Sequence, residues 1–350
     1  MIELTWKKIH QKIIKNYKKN KNFVLFKKPN ENKIFFYDQN KKIKNNKKYF
    51  LISSFNCKNT IKIYSKKIYF LNLKKFIQSS PNYLNKEKKK NYLKYSIEYK
   101  NLIKKAISTI KKKNLQKVVV SRFIKIPFHK FYLKKTFQKL IYSYPKSFIT
   151  YWYNIHYGSW IGATPELFLK LNDQKLQTIP LAGTIFNNKK WTKKELEEHK
   201  IVIKYIVNIL KSYSGNITIG KIKSIKVGNL SHLKTSINFN FLKKEKQFSI
   251  LNRLHPTPSI CGYPKKKSWN FIKKNEKFKR NFYTGYFGTV DDKKKNMELY
   301  LNLRCARIRI NKKDITLYAG SGITKYSNLN QEYIETENKI KSIISQLIFK

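Results

Sequence analysis

The stretch from Glu298 to Lys339 leaves this chain the fewest alternatives. It reads ELYLNLRCARIRI, then NKKD, then ITLYAGSGI, and ends in a run containing NLNQEYIETENK. The first and third segments alternate like strands, and the turn-rich Asn311–Asp314 between them predicts a hairpin. The second strand ends in Gly320-Ser321-Gly322, where two glycines let backbone N–H groups face an anion without obstruction. A helix is expected after Asn328 and Asn330, both N-cap residue types, with Ile340, Ile343, Ile344 and Leu347 at helical spacing. On it, Glu332, Glu335 and Lys339 share a face. These 42 residues bring together Arg304, a backbone anion nest and two carboxylates, a combination suited to a small anionic substrate held with a divalent cation.

The remaining pattern predicts an α+β fold with largely antiparallel sheets. Strands are expected at Lys33–Tyr37, Lys48–Ser53, from Leu115 through KVVVSRFI, and at Phe148–Tyr153, Ser159–Gly162, Glu166–Lys170 and Lys175–Ile179. More follow near Asn216–Lys226 and Tyr283–Val290. Helices are expected over Lys86–Lys112 and from about Thr192 to Tyr213, the latter with an apolar stripe of Val202, Ile206, Ile209 and Leu210. Residues 1–110 carry no usable motif and read as a degenerate N-terminal part of the same fold. Residues 111–350 read as the ligand-binding, catalytic region. There is no dinucleotide fingerprint, phosphate loop or nucleophile elbow.

The net charge is +58 over 350 residues. Such an excess suggests a nucleic acid or an anionic membrane as partner. Yet the basic residues are overwhelmingly Lys, are spread along the whole length, and accompany abundant Asn, Ile, Tyr and Phe, all encoded by A/T-rich codons. Codon bias accounts for this without a polyanion, and no nucleic-acid-binding motif accompanies the charge. A basic nucleic-acid-binding protein remains the alternative from another class. The three cysteines have no paired spacing, which fits a reducing compartment and no disulfide framework. No apolar run reaches bilayer length and no secretory signal is visible, so the expectation is a cytoplasmic protein, a monomer or weak dimer, with no membrane partner.

The rare acids carry the chemistry. Glu166, in IGATPELFL, is flanked by apolar residues, which would raise its pKa as a general acid requires. Lys117 precedes three valines, and a lysine on a core strand loses basicity by desolvation and can act as a base. Glu195, Glu197 and Glu198 form one acidic cluster and Glu332, Glu335 and Glu337 another; solvated helix faces are the ordinary reading of both. Glu198 paired with a carboxylate from the last helix could instead hold Mg²⁺. His255 lies in LHPTPSICGYP, a loop stiffened by prolines.

In order, the chain shows KVVVSR at 117–122, GATPELFL at 162–169, IPLAGT at 179–184, EEH at 197–199, LHPTPSICGYP at 254–264, LRCARI at 303–308, YAGSGI at 318–323 and ExxET at 332–336. Order and spacing closely resemble the chorismate-utilising enzymes, and most closely the isochorismate synthases, over about residues 112–345. The resemblance implies two packed sheets ringed by helices and a Mg²⁺-dependent site for chorismate. It implies that Lys117 activates water for attack at ring position C2 and that Glu166 protonates the departing C4 hydroxyl. By the same resemblance Glu198 and Glu335 are Mg²⁺ ligands, with Glu332 acting through a water. Arg304, Lys339 and the amides around Gly320, Ser321 and Gly322 form the carboxylate clamp, and Gly183 and His255 are substrate-pocket residues. The related anthranilate synthases carry Gln where Lys117 stands, and aminodeoxychorismate synthases carry Lys where Ala182 stands. Lys117 with Ala182 therefore points to water as nucleophile and to isochorismate as product, with menaquinone synthesis as its fate. Salicylate synthases share both features and then eliminate pyruvate, which makes them the alternative. Two departures from the family pattern, a looser Lys277–Gly288 and Ser321 in place of Ala, remove no chemical group.

Overall fold

The computed structural model describes residues 1–40, 48–78, 92–93, 95–186, 190–243 and 247–350. Its helices are α1 (Trp6–Lys18), α2 (Leu73–Gln78), α3 (Ile97–Lys111), α4 (Leu133–Ser143), α5 (Lys193–Leu210), α6 (Gln247–Leu254), α7 (Lys265–Asn275) and α8 (Leu329–Ile344). The expected Lys86–Lys112 helix is thus α3, and residues 86–91 and 94 lie outside the described residues. Ser96 caps α3, Asn328 caps α8, and Thr192 and Glu195 form a reciprocal capping box on α5.

The strands form a ten-stranded, an eight-stranded and a three-stranded sheet, so the fold is α+β as expected. Neighbours pair antiparallel throughout, except the short strand Ile2–Glu3, which lies parallel to Tyr69–Asn72. The two large sheets pack face to face. Val24, Phe26, Phe148 and Trp152 from the ten-stranded sheet meet Phe50, Ile52, Phe287 and Tyr300 from the eight-stranded one in a shared aromatic core. The outer face of the ten-stranded sheet is covered by α1, α4 and α8 through Ile9, Ile13, Phe137, Leu140, Ile340 and Ile343. Helices α3, α5, α6 and α7 close a further core beside the eight-stranded sheet. Residues before 110 belong to this body: Phe23–Lys27 pairs with Phe148–Asn154, and Lys48–Ser53 pairs with Tyr286–Asp291. Among the described residues, no helix is long and apolar enough to cross a membrane.

One expected element divides. The alternation from Glu298 to Ile310 is two strands, Asn296–Leu301 in the eight-stranded sheet and Cys305–Arg309 in the ten-stranded one. The chain crosses between the sheets at Asn302–Arg304, where Arg304 takes φ +49°, a left-handed conformation uncommon for a side chain with a Cβ. Only Cys305–Arg309 forms the hairpin with Asp314–Ile323. Alternation of period two continues on both sides of the crossing, so the sequence hides it. Gly320-Ser321-Gly322 is likewise regular strand, paired with Val119–Ser121 of Lys117–Pro127, and not a separate nest.

Candidate active site

The strand Lys117–Pro127 and its neighbour Asp314–Ile323 form the floor of a cavity roofed by α5, α8 and the small sheet that contains Leu181–Phe186. Gly322 explains why a glycine stands on that floor. A Cβ there would meet Glu198 Oε1 at 2.1 Å and Lys117 Cε at 3.0 Å, so the missing side chain is the space these two functional groups fill. Gly183 takes φ +74° at an irregularity in its strand, and a Cβ on it would lie 2.9 Å from Glu195 Cβ, so it lets the strand lie close against α5.

Glu166 immediately precedes the strand Leu167–Asn172, lines the cavity and is 4% exposed. Its Oε1 accepts from Ser259 Oγ at 2.9 Å and from Leu181 N at 3.4 Å. No described residue bonds Oε2, which leaves that oxygen to carry a proton. Burial raises its pKa to about 7, against the opposing influence of Ser259 and the more distant Lys117 ammonium. Lys117 is fully buried at the start of its strand, with Nζ 3.0 Å from Glu198 Oε1. Burial lowers its pKa and Glu198 only partly restores it. The carboxyl is thus more easily protonated, and the ammonium more easily deprotonated, than in water.

Arg304 lines the same cavity at 9% exposure. Its Nη1 donates to Ser342 Oγ at 3.0 Å and its Nη2 to His232 Nε2 at 2.8 Å. No described carboxylate is ion-paired with it, although it is buried. His232 must accept from the guanidinium, so its proton sits on Nδ1, 3.3 Å from Gly183 O. Burial, then Arg304, hold the pKa of His232 well below its usual value, and the ring is neutral. Lys339 also lines the cavity, bonding Gly320 O at 2.9 Å and Glu335 Oε1 at 2.6 Å. Val119, Ile260, Leu303, Tyr283 and Tyr318 give the wall an apolar part.

Two expected pocket residues are placed elsewhere. His255 does not line the cavity: it is enclosed by Phe55, Phe168 and Tyr286, with Nε2 2.8 Å from Phe55 O. His255 itself is a packing corner, whereas the same loop reaches the cavity further on, through Ser259 and Ile260, before it leads into α7. Ser321 points away from the cavity, toward Tyr99 Oη at 3.2 Å, because side chains alternate along a strand. Gly183, Gly320 and Gly322 do line it. His232 lies outside the motifs, and Ser259 lies inside LHPTPSICGYP, where His255 was the residue named. His232 stands in LSHLK, a strand that pairs with Leu181–Phe186 and sets it opposite Thr184, next to the irregularity at Gly183.

The acidic clusters turn Glu195, Glu198 and Glu332 inward and leave Glu197 and Glu337 partly exposed. Glu198 is 6% and Glu332 3% exposed, and both converge with Glu335 on the ammonium of Lys194. Burial would raise the pKa of Glu198, but Lys117 and Lys194 together hold it well below the usual carboxylate range. Burial raises Glu332 to about 7 despite Lys194. Three carboxylates from two helices, all hard oxygen donors aimed at one point, suit a small divalent cation in kind. At their present spacing, no group of three His, Cys, Asp or Glu among the described residues could hold a metal ion. The donor set fits; the spacing is that of an ammonium.

Comparison with known proteins gives the family and the fold. The chain is 30% identical over 203 residues to the vibriobactin-specific isochorismate synthase of Vibrio cholerae, covering 53% of this chain and 50% of that one. It is 28% identical over 194 residues to the isochorismate synthase MenF of Escherichia coli, covering 52% and 44%. The chain thus spans about half the length of the curated relatives it matches. The fold is that of the menaquinone-specific isochorismate synthase of Escherichia coli (TM-score 0.77, 19% identity, 93% of this chain and 89% of that one). It is also similar to anthranilate synthase component I of Streptococcus pneumoniae (TM-score 0.62, 21% identity, 70% and 57%). The model of the family described as chorismate binding enzyme matches residues 16–348, which takes in most of the N-terminal third where no motif stood out, and the chain belongs to that family.

Proposed function

We propose that the chain is an isochorismate synthase that adds water at C2 of chorismate as the C4 hydroxyl departs. The observation that carries this reading is the pairing, around one cavity, of a carboxyl that keeps its proton to about pH 7 with a guanidinium buried without a carboxylate partner. A buried, unpaired Arg304 calls for an anionic ligand, and chorismate is a dicarboxylate. Lys339 adds a second positive charge on the same side. Lys117, its basicity lowered by burial, takes a proton from water as the oxygen bonds to C2. Glu166 gives its proton to the C4 hydroxyl, which leaves as water, so the product is an isomer of the substrate. The apolar wall holds the ring and excludes bulk water.

Glu198 and Glu335, with Glu332 through a water, would hold Mg²⁺. When bound, the ion would neutralise a substrate carboxylate and fix its orientation. Menaquinone synthesis is the fate we propose for the product, on the likeness to menaquinone-specific relatives. The test is turnover of chorismate in heavy-oxygen water. The reading expects one solvent oxygen in isochorismate, at C2. Isochorismate carrying no solvent oxygen would overturn the water-attack step, and rapid stoichiometric salicylate and pyruvate would replace it with the salicylate-synthase alternative.

A further inference from the structure

Lys194 has no part in the reaction above, yet among the described ion pairs it meets three carboxylates, more than any other cation. It sits in the first turn of α5, 7% exposed. Its Nζ lies 3.0 Å from Glu198 Oε2, 3.1 Å from Glu332 Oε1 and 3.8 Å from Glu335 Oε2. Glu198 is one turn further along α5, and the other two come from the start of α8. One ammonium therefore joins the two helices that roof the cavity.

We propose that Lys194 is a built-in counter-cation, standing where a divalent ion would stand, and that metal loading requires its ammonium to leave. This rests on the reading of the three carboxylates as the Mg²⁺ site. Mg²⁺ takes oxygens at about 2.0–2.1 Å in near-octahedral order, whereas an ammonium holds them at nearly 3 Å. Glu198 and Glu332 stand at the second distance, and Glu335 lies further out at 3.8 Å. Two cations cannot share them at such range without strong mutual repulsion. Loading thus couples three movements: the ammonium swings out, Glu198 closes by roughly an ångström and Glu335 by more, and the α5–α8 contact tightens around the ion. Without metal, Lys194 keeps the same carboxylates from repelling one another, so the empty site stays assembled. The competition also sets affinity, because a lysine tethered beside the site is present at high effective concentration.

The experiment titrates MgCl₂ calorimetrically into chelator-treated protein, with thermal melting in chelator and in Mg²⁺ alongside. It uses the wild type, Lys194→Gln, and the double variant Lys194→Gln with Glu335→Gln. Lys194→Gln is expected to bind Mg²⁺ at least about tenfold more tightly than the wild type, to melt lower in chelator, and to recover with Mg²⁺. The double variant is expected to lose the gain. Equal or weaker binding by Lys194→Gln, with the wild type binding normally, would overturn the proposal and leave the metal reading intact. Absence of Mg²⁺ binding in every form would overturn both. If Lys194→Gln fails to fold in either condition, acetylation of wild-type Lys194, read by mass spectrometry, decides. Faster labelling with Mg²⁺ supports displacement, and unchanged protection with Mg²⁺ bound contradicts it.

Discussion

Ser259 is the side chain through which the acidity of Glu166 can be moved without touching Glu166. Its hydroxyl donates to Oε1 and favours the ionised form. Ser259→Ala should therefore raise the pKa of Glu166 above about 7 and shift the falling limb of the pH–rate profile to higher pH. Initial rates from pH 5 to 9 check this; an unmoved limb would assign that limb to another group. The same carboxyl makes a stability prediction independent of turnover. Its folded pKa, about 7, exceeds its ordinary value of 4.5, so the unfolded chain loses the proton first. The group's cost to stability sets in above pH 4.5 and is complete above about 7. Glu166→Gln should raise the melting temperature more at pH 8 than at pH 5. Arg304→Lys keeps the charge but loses the fork that reaches Ser342 and His232 together. A drop in kcat/KM of about 10- to 100-fold is expected, the scale of one to two charge-assisted hydrogen bonds, measured against chorismate. A wild-type value would place Arg304 outside the binding interaction.

Elements show how much of this was open to reading in the sequence. The strand Lys117–Pro127 and the helix α5 were legible because their periods are long and unbroken, and the Thr192 cap marks where the helix starts. The capping box has an energetic consequence: Thr192→Ala should cost about 1 kcal/mol, read by urea unfolding, and loosen the turn that carries Lys194 and Glu195. The break at Asn302–Arg304 was not legible. It is set by contacts with residues far along the chain, Asn302 Nδ2 to Phe282 O and Leu301 N to Glu166 O, which no local window contains. His255 was read as a pocket residue on the family resemblance of LHPTPSICGYP, whereas His232, in a plain alternating strand, became visible only through its neighbours across the sheet. Lys194 was hidden by composition, one lysine among very many, distinguished only by standing four residues before Glu198.

At the scale of the whole molecule, the N-terminal third and the motif-bearing region are one packed body. Phe148 is fully buried and its ring meets Phe26 at 5.6 Å, Phe287 at 5.4 Å and Tyr300 at 4.6 Å, joining both sheets. Phe148→Ala should cost about 3–5 kcal/mol and lower a single unfolding transition. A fragment of residues 111–350 should not melt cooperatively, since it would expose the sheet edges that Phe23–Lys27 and Lys48–Ser53 cover. The net charge of +58 is a property of the surface: among the described residues of the site Lys117 and Lys194 are matched by Glu198 and Glu332, and Arg304 alone is left for a ligand. Any affinity for duplex DNA should accordingly be non-specific and collapse with added salt. The most direct test of the enzyme reading is product analysis after incubation of the purified chain with chorismate and Mg²⁺. The account predicts a product of unchanged mass that is isochorismate, formed only while Lys117 and Glu166 are intact; chorismate left unconverted by folded, Mg²⁺-supplied protein would contradict it.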